Sequence, residues 1–567
     1  MGKWKLDGFT VIKWLIFLFF LIFLVVPLIT IFIVSFIGEP INLLGSLTNI
    51  EVFKNTMSQL SQISLEPYLE FFQTPRYFSS LVNSLGLSLF VTLLTTLMCI
   101  PMAYAFAKTN MKFKKLFGIL VTIPLIMPTF VFANGFITMF GRTGWVTNIW
   151  DSMTGNPLLF DVHSMLGIII VQIFSFFPYA FWPMVASFKV SDMTLEEAAH
   201  NMGARTWYTF SSVTFPLAIA GIASSMLLVF TVSFSDFGTP IVLAPNNLNL
   251  IVVEAYREMS GFSNWSGSSV LTVVMIIVAG LFFWLQRWVT KKKEYGTISG
   301  KPKNQKLNEN KVLNSILSGY TFLVLLFPIL ILASIFLASI ATNWGHNILP
   351  NGYTMNNYFS VFNASKDSIF NSLFLAGGAL LLSVIIATFI SYYVVRRGSA
   401  GLDLMSTIPL VIPGIGLGIA LIQTFNTAPL QLTGTAIILI IAYTIRRLPY
   451  MIRSTMGTMM SIRRDIEEAA ENLGASKLFT LVTIIGPLLM PGIAAGAILV
   501  FVTVIKETSI TILLANSQWA PMSLVVFQHI MKGEHYHASA MSILIIILVI
   551  VLQYIANKLA SKDSSGA

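Results

Sequence analysis

Two polar loops carry the same spacing of acidic, small and glycine residues in an otherwise apolar chain. The first contains Glu197-Ala198-Ala199 followed by Gly203, and the second contains Glu468-Ala469-Ala470 followed by Gly474 at the same interval. In each loop a proline follows thirteen residues after the glycine. Paired alanines favour a helix, and glycine readily takes the left-handed conformation that ends one. The pattern predicts two short helical knobs.

The glutamate of each predicted knob has two interpretations. Thr194 stands three residues before Glu197, and Asp465 stands three residues before Glu468, which is the spacing of a capping box. The glutamates therefore either cap their own helices or contact a partner protein. Capping alone does not require the same long glycine-to-proline pattern twice, so for the loops as a whole a partner is favoured.

Four polar residues lie at the ends of two long apolar runs and are the candidates for a transport pathway. Ser235 and Asp236 follow one run, and Lys506 and Glu507 follow another. Ionisable residues at membrane depth are costly and often functional. We therefore predict that these residues line a pathway or its outer gate. The alternative for Lys506 and Glu507 is an interfacial position at a helix end.

A group of possible metal ligands lies near the end of the chain. His529, Glu534, His535 and His537 carry side chains that can bind a metal ion. We interpret the segment as a solvated loop, predict no metal site in the chain, and expect the histidines to be dispensable. The one cysteine, Cys99, has no partner for an intrachain disulfide or a thiolate cluster.

Two further groups of charges have structural rather than functional interpretations. Glu254, Arg257 and Glu258 lie in a predicted outer loop, where a solvated face is favoured over a contact with a binding protein. Arg446, Arg447 and Arg453 are predicted to lie in the inner half of a span, with side chains that extend toward the cytoplasm.

The composition places all of these residues in a membrane protein. The 567 residues are 55% hydrophobic and only 10% charged, with a mean hydropathy of +0.79, whereas soluble domains carry about 25% charged residues. Apolar runs of about 20 residues, the length that crosses a bilayer as a helix, recur along the chain. We predict an all-α polytopic fold with about 12 transmembrane helices. The predicted spans are 14–37, 78–107, 116–140, 164–188, 212–234, 269–289, 314–341, 368–395, 402–425, 434–458, 484–505 and 538–557.

The positive charges predict the orientation, and short repeats predict a duplication. With both termini in the cytoplasm, 27 Lys and Arg residues fall on inner segments and 7 on outer ones, as the positive-inside rule requires. The polar stretch 291–311 is predicted to be a cytoplasmic linker between a first half, 1–290, and a second half, 312–567. Motifs such as Thr122-Ile123-Pro124-Leu125 recur in the second half, here as Thr407-Ile408-Pro409-Leu410. Six spans in each half make this a parallel duplication, with the pathway between the halves.

The two repeated loops, 192–216 and 463–487, resemble the cytoplasmic Glu-Ala-Ala loops of type I ABC importer permeases. The resemblance implies a fused permease of two six-helix halves in a bacterial cytoplasmic membrane, served by an extracytoplasmic binding protein. It also implies that each loop docks on one of two copies of a cytoplasmic ATPase, with Glu197 and Glu468 as contacts. The segments around Asp236 and Lys506-Glu507 are similar to those of ferric-iron permeases, so ferric iron is the favoured substrate.

The chain is expected to bind no cofactor of its own. It contains no Gly-x-x-x-x-Gly-Lys-Ser/Thr phosphate loop, so ATP and magnesium are expected on the partner ATPase. The same broad group of permeases leaves phosphonate or sugar phosphate, thiamine and polyamine open as substrates. A secondary carrier driven by an ion gradient is the alternative of a different class, and it gives no reason for paired Glu-Ala-Ala loops. No catalytic residue is assigned.

Overall fold

The computed structural model describes residues 8–156, 158–190, 193–292, 307–308 and 310–563. Within these ranges the regular secondary structure is helical, apart from isolated bridges that join Thr109 to Asn308 and Ala341 to Tyr353. The predicted all-α polytopic fold is confirmed. Both chain termini and most of the predicted linker, 291–311, lie outside the described residues, so the boundaries of the two halves remain predictions.

The first half contains the helices α1 to α17, of which the last is long and apolar. They are α1 Gly8–Phe20, α2 Val26–Ile37, α3 Leu43–Ser46, α4 Ile50–Leu60, α5 Glu66–Gln73, α6 Pro75–Lys108, α7 Lys114–Leu120, α8 Ile123–Ile126, α9 Thr129–Phe140, α10 Trp145–Thr154, α11 Met165–Val190, α12 Met193–Asn201, α13 Thr206–Thr209, α14 Phe215–Phe234, α15 Gly238–Leu243, α16 Ile251–Ser260 and α17 Trp265–Lys292. A π-helical turn, Leu21–Val25, joins α1 to α2, and another, Phe210–Thr214, leads into α14.

The second half repeats the order of the first from its fourth predicted span onward. Its helices are α18 Lys311–Ser339, α19 Asn356–Arg397, α20 Ala400–Thr407, α21 Gly414–Phe425, α22 Ala436–Ser461, α23 Asp465–Asn472, α24 Lys477–Phe479, α25 Gly486–Ile505, α26 Thr511–Leu514, α27 Met522–Met531 and α28 His535–Asp563. The series α22 to α28 corresponds one for one to α11 to α17. Even the π-helical turn recurs, as Thr480–Ile485 before α25.

The number of spans depends on two bent segments. Within the described residues, nine helices are long and apolar enough to cross a membrane, and the number rises to eleven if each of two bent helix pairs counts as one span. The predicted span 434–458 forms the helix α22, which is less apolar because it contains three arginines. The predicted count of twelve is therefore not confirmed.

The third and ninth predicted spans are broken rather than continuous. The chain bends by 102° between Lys114–Ile126 and Thr129–Thr154, and by 108° between Ala400–Leu410 and Gly414–Phe425. Each break stands at a proline, Pro128 or Pro413, four residues after the proline of the recurring Ile-Pro-Leu motif, with ψ of 147° or 145°. Proline supplies no N–H and disfavours a helical residue before it. The predicted spans 116–140 and 402–425 are therefore bent, and each counts as one span only if its two helices are taken together.

The first span of each half packs on the opposite half. In the first half α2 lies against α17 and also against α21 of the second half, whereas α18 lies against α28 and also against α9 of the first half. Within each half, α6, α11 and α14 pack on one another, as do α19, α22 and α25. This reciprocal exchange is the pattern expected of a pseudo-two-fold axis, and it places the broken helices α9 and α21 at the boundary between the halves.

Candidate functional site

The two predicted knobs form as short helices, α12 and α23, that end in the same way. Gly203 has φ of +87° and Gly474 has φ of +88°, so the left-handed conformation expected of both is confirmed. The backbone N–H of Ala204 donates to Ala199, and that of Ala475 donates to Ala470, each at 3.0 Å. These bonds span the turn as in a Schellman motif.

The second knob presents its glutamate and one alanine to the surface. Glu468 and Ala469 are exposed, whereas Ala470 is buried beneath them. In the first knob Ala198 is exposed and Ala199 is half-buried, and the side chains of Thr194 and Glu197 lie outside the described residues. An exposed acidic helix is suited to enter a groove on another protein.

The capping interpretation fails for the second knob. α23 begins at Asp465, and its N-cap residue, Arg464, forms no side-chain capping bond. The carboxylate of Asp465 instead pairs with the guanidinium of Arg463, which neutralises it locally. Glu468 thus does not form the reciprocal bonds of a capping box in this helix.

A different glutamate fixes each knob to the membrane-spanning helices. Lys108 Nζ, at the end of α6, lies 3.0 Å from Glu196 Oε1, and Arg396 Nε, near the end of α19, lies 2.5 Å from Glu467 Oε1. The four side chains are at most 15% exposed. In each half, the glutamate just before the Glu-Ala-Ala motif therefore forms an ion pair with the second span of the same half. Sequence reasoning missed these pairs, although basic residues at the ends of two corresponding spans were a usable signal.

Asp236 accepts hydrogen bonds from residues at the break in the bent helix pair of the first half. Its Oδ1 accepts hydrogen bonds from Thr129 Oγ1 at 2.8 Å and from the N–H of Gly238 at 3.2 Å. Its Oδ2 accepts from Gln172 Nε2 at 3.0 Å and from the N–H of Thr239 at 3.3 Å. Thr129 directly follows the break at Pro128, so Asp236 joins the end of α14 to the start of α9.

Glu507 has the corresponding place in the second half but pairs with two arginines. Its Oε2 lies 3.1 Å from Arg446 Nε and also contacts Arg447 Nη2. Arg446 Nη1 donates to the carbonyl of Ile412 at 3.2 Å, just before the break at Pro413. Arg446 and Arg447 therefore pair with a buried carboxylate instead of extending toward an end of their helix. That prediction was wrong because the carboxylate, just beyond the end of α25, is distant in sequence.

Lys506 connects the two halves. Its Nζ donates to the carbonyl of Leu125 in α8, which belongs to the first half. The structure thus brings Lys506 and Glu507 together at the boundary between the halves, whereas Ser235 and Asp236 stand at the corresponding place in the first half.

The outer-loop acids are buried rather than solvated. Glu254 is fully buried and Glu258 is 3% exposed. Arg76 Nη2 lies 2.5 Å from Glu254 Oε2, and Arg257 Nη1 lies 3.0 Å from Glu254 Oε1. The prediction of a solvated face was wrong, because Arg76 at the start of α6 supplies a partner that the local sequence does not show.

The histidine cluster is divided between two environments. Possible ligand atoms of His529, Glu534 and His537 lie within 4.8 Å of one another, and a hydrogen bond from His529 lowers the pKa of Glu534. His535 Nδ1 instead lies 2.8 Å from Asn134 Oδ1. Whether these histidines are dispensable stays a prediction.

Known proteins resemble this chain over most of its length. Residues 99–295 and 379–563 match the family model described as binding-protein-dependent transport system inner membrane component. The ferric transport system permease protein FbpB of Actinobacillus pleuropneumoniae is 30% identical over 493 residues, which cover 83% of this chain and 70% of that protein. The putative ferric transport system permease protein FbpB 1 of Haemophilus influenzae is 30% identical over 455 residues, covering 77% and 70% respectively. A crystal structure of a bacterial ABC transporter involved in the import of alginate is similar over 50% of this chain and 95% of that chain, with a TM-score of 0.42 and 17% identity.

The two matched segments correspond to the duplicated architecture. Each contains one knob, α12 in the first and α23 in the second, together with the helix that carries Asp236 or Glu507 at its end. The segments cover more than half of the chain, and the similarity to permeases continues between them. The chain belongs to the family of binding-protein-dependent transport system inner membrane components and is a fused permease subunit of an ABC importer.

Proposed function

We propose that this permease imports ferric iron. The observation that carries the proposal is the 30% identity to two ferric transport permeases over more than three quarters of this chain. The matched regions include both knobs and both acidic residues at the ends of α14 and α25. Phosphonate or sugar phosphate, thiamine and polyamine remain the alternative substrates.

Energy for transport comes from a separate protein. Two knobs with the same glycine-ended geometry support an assembly of one chain with two copies of a cytoplasmic ATPase, each copy docked on α12 or α23. Glu197 and Glu468 are the proposed contacts, and the exposure of Glu468 supports this role. ATP and magnesium bind to the ATPase, and an extracytoplasmic binding protein delivers the substrate.

With both termini in the cytoplasm, the knobs also lie in the cytoplasm of a bacterial cell. The support is the excess of Lys and Arg on the segments that contain the knobs and the termini. Closure of the ATPase pair then moves α12 and α23 toward each other and opens the crevice between the halves to the outside. The ion pairs at Glu196 and Glu467 carry this movement into α6 and α19.

The substrate is tested by stimulation of ATP hydrolysis. Permease and ATPase are reconstituted in liposomes, and the binding protein is added after loading with ferric iron, thiamine, a phosphonate or a polyamine in turn. We expect the iron-loaded protein to stimulate hydrolysis and the others to leave it near the basal rate. Stimulation by another substrate with none by iron would overturn the iron proposal and leave the family unaffected.

A further inference from the structure

Positive charges outnumber negative ones where the halves meet. Lys506, Arg446 and Arg447 surround Glu507, whose carboxylate is 3% exposed. The two arginine side chains are 17% and 14% exposed. Even if Asp236 on the opposite side of the boundary is included, three cations face two carboxylates. A buried cluster with excess charge is costly unless a counter-ion joins it.

The cluster lies along the length of α22 rather than at its start. Arg446 is ten residues into α22, which begins at Ala436. With a rise of about 1.5 Å per residue, its Cα is about 15 Å from that end of the helix. A mobile counter-ion reaches such a buried position only through a pathway, and the transport pathway proposed between the halves would be one.

Hydrogen-bond donors in the cluster exceed the acceptors that it contains. Arg447 gives Nη2 to Glu507, but its Nε is buried and has no hydrogen-bond partner among the described residues. Lys506 carries three N–H donors, and the carbonyl of Leu125 accepts one of them. Asp236 already accepts four hydrogen bonds from other residues, so it is not available to these cations.

We propose that Lys506 and Arg447 bind an oxyanion that crosses between the halves. The inference rests on the proposed function, because it places the cluster on the transport pathway. Guanidinium and ammonium groups are the usual ligands of phosphate-like and carboxylate-like groups. Ferric iron therefore crosses as a complex that carries excess oxyanion charge, and not as a bare cation. The same chemistry admits a phosphonate or a phosphate ester and disfavours thiamine and polyamines.

The test measures anion binding by the full chain in lipid nanodiscs, without ATPase or binding protein. Radiolabelled inorganic phosphate, ferric citrate and spermidine are the three probes. We expect saturable binding of phosphate, ferric citrate or both, and none of spermidine. Binding of ferric citrate but not of phosphate identifies an iron complex as the ligand. Binding of phosphate but not of ferric citrate identifies a free oxyanion as the ligand.

Variants assign the binding to the cluster. Lys506→Gln and Arg447→Gln should each weaken binding about tenfold or more, because each removes a charged hydrogen bond. Lys506→Arg should retain it, and so should Arg453→Gln, a control on the same helix whose side chain is 52% exposed. Size-exclusion profiles and thermal unfolding identify a variant that does not fold, in which case the other glutamine variant decides.

Two results would overturn the inference. One is the absence of saturable binding of either anion, and the other is equal affinity in the wild-type chain and in a folded glutamine variant. Neither depends on ATP hydrolysis, so failure here is distinguishable from failure of the iron-stimulation experiment.

Discussion

Replacement of Glu507 by glutamine is expected to lower the free energy of unfolding by about 3 kcal/mol or more. The carboxylate is the shared partner of Arg446 and Arg447, and it is almost completely buried. Removal of one member of a buried ion pair leaves the other charge without compensation in a medium of low dielectric constant. Two arginines are left in this case, so a large effect is expected.

The loss is measured by denaturant unfolding of the purified chain in detergent. Glu468→Gln makes the same chemical change at an exposed position and should alter stability by less than about 0.5 kcal/mol. If Glu507→Gln were as stable as Glu468→Gln, the ion-pair description of this cluster would be wrong.

Reversal of charge on both knobs is expected to separate the permease from its ATPase. In the double variant Glu197→Arg, Glu468→Arg, each docking site loses its acidic contact and gains a repulsive one. The loss of a central contact in an interface commonly costs about 2 kcal/mol or more, which corresponds to about thirtyfold weaker docking. Both single variants should retain one ATPase copy.

The measurement is co-purification of the ATPase, with its ratio to the permease determined by native mass spectrometry. Glu51→Arg is the control, because Glu51 is an exposed glutamate on α4, far from the knobs in the predicted topology. It should bind the ATPase as the wild type does. Wild-type recovery of two ATPase copies by the double variant would show that these glutamates are not docking contacts.

Local patterns predicted the parts of the molecule that repeat. The Glu-Ala-Ala loops gave the two knobs and the left-handed glycines at Gly203 and Gly474, because a short helix and its end depend on neighbouring residues. Apolar runs gave the membrane helices for the same reason. The recurring Thr-Ile-Pro-Leu motif indicated the duplication, but the breaks at Pro128 and Pro413, just beyond each copy, were not predicted, since hydropathy averaged over about 20 residues does not register a bend.

Local sequence patterns could not predict which charged residues form ion pairs. Glu507 pairs with Arg446 across about sixty residues, and Arg76 reaches Glu254 across a still longer interval. Such partners depend on how the helices pack, which hydropathy and spacing do not specify. As a result, Arg446 was assigned to the cytoplasmic side and Glu254 to a solvated loop, although both are held by distant carboxylate or guanidinium groups.

This permease is expected to import its substrate at the expense of ATP. Proteoliposomes that contain the permease and its ATPase, with the ATPase facing out, are filled with binding protein loaded with radioactive ferric iron. We expect iron to leave the lumen only when ATP and magnesium are added outside. The double variant Glu197→Arg, Glu468→Arg should release no iron. Release driven by a proton or sodium gradient without ATPase or ATP would contradict this expectation and support a secondary carrier.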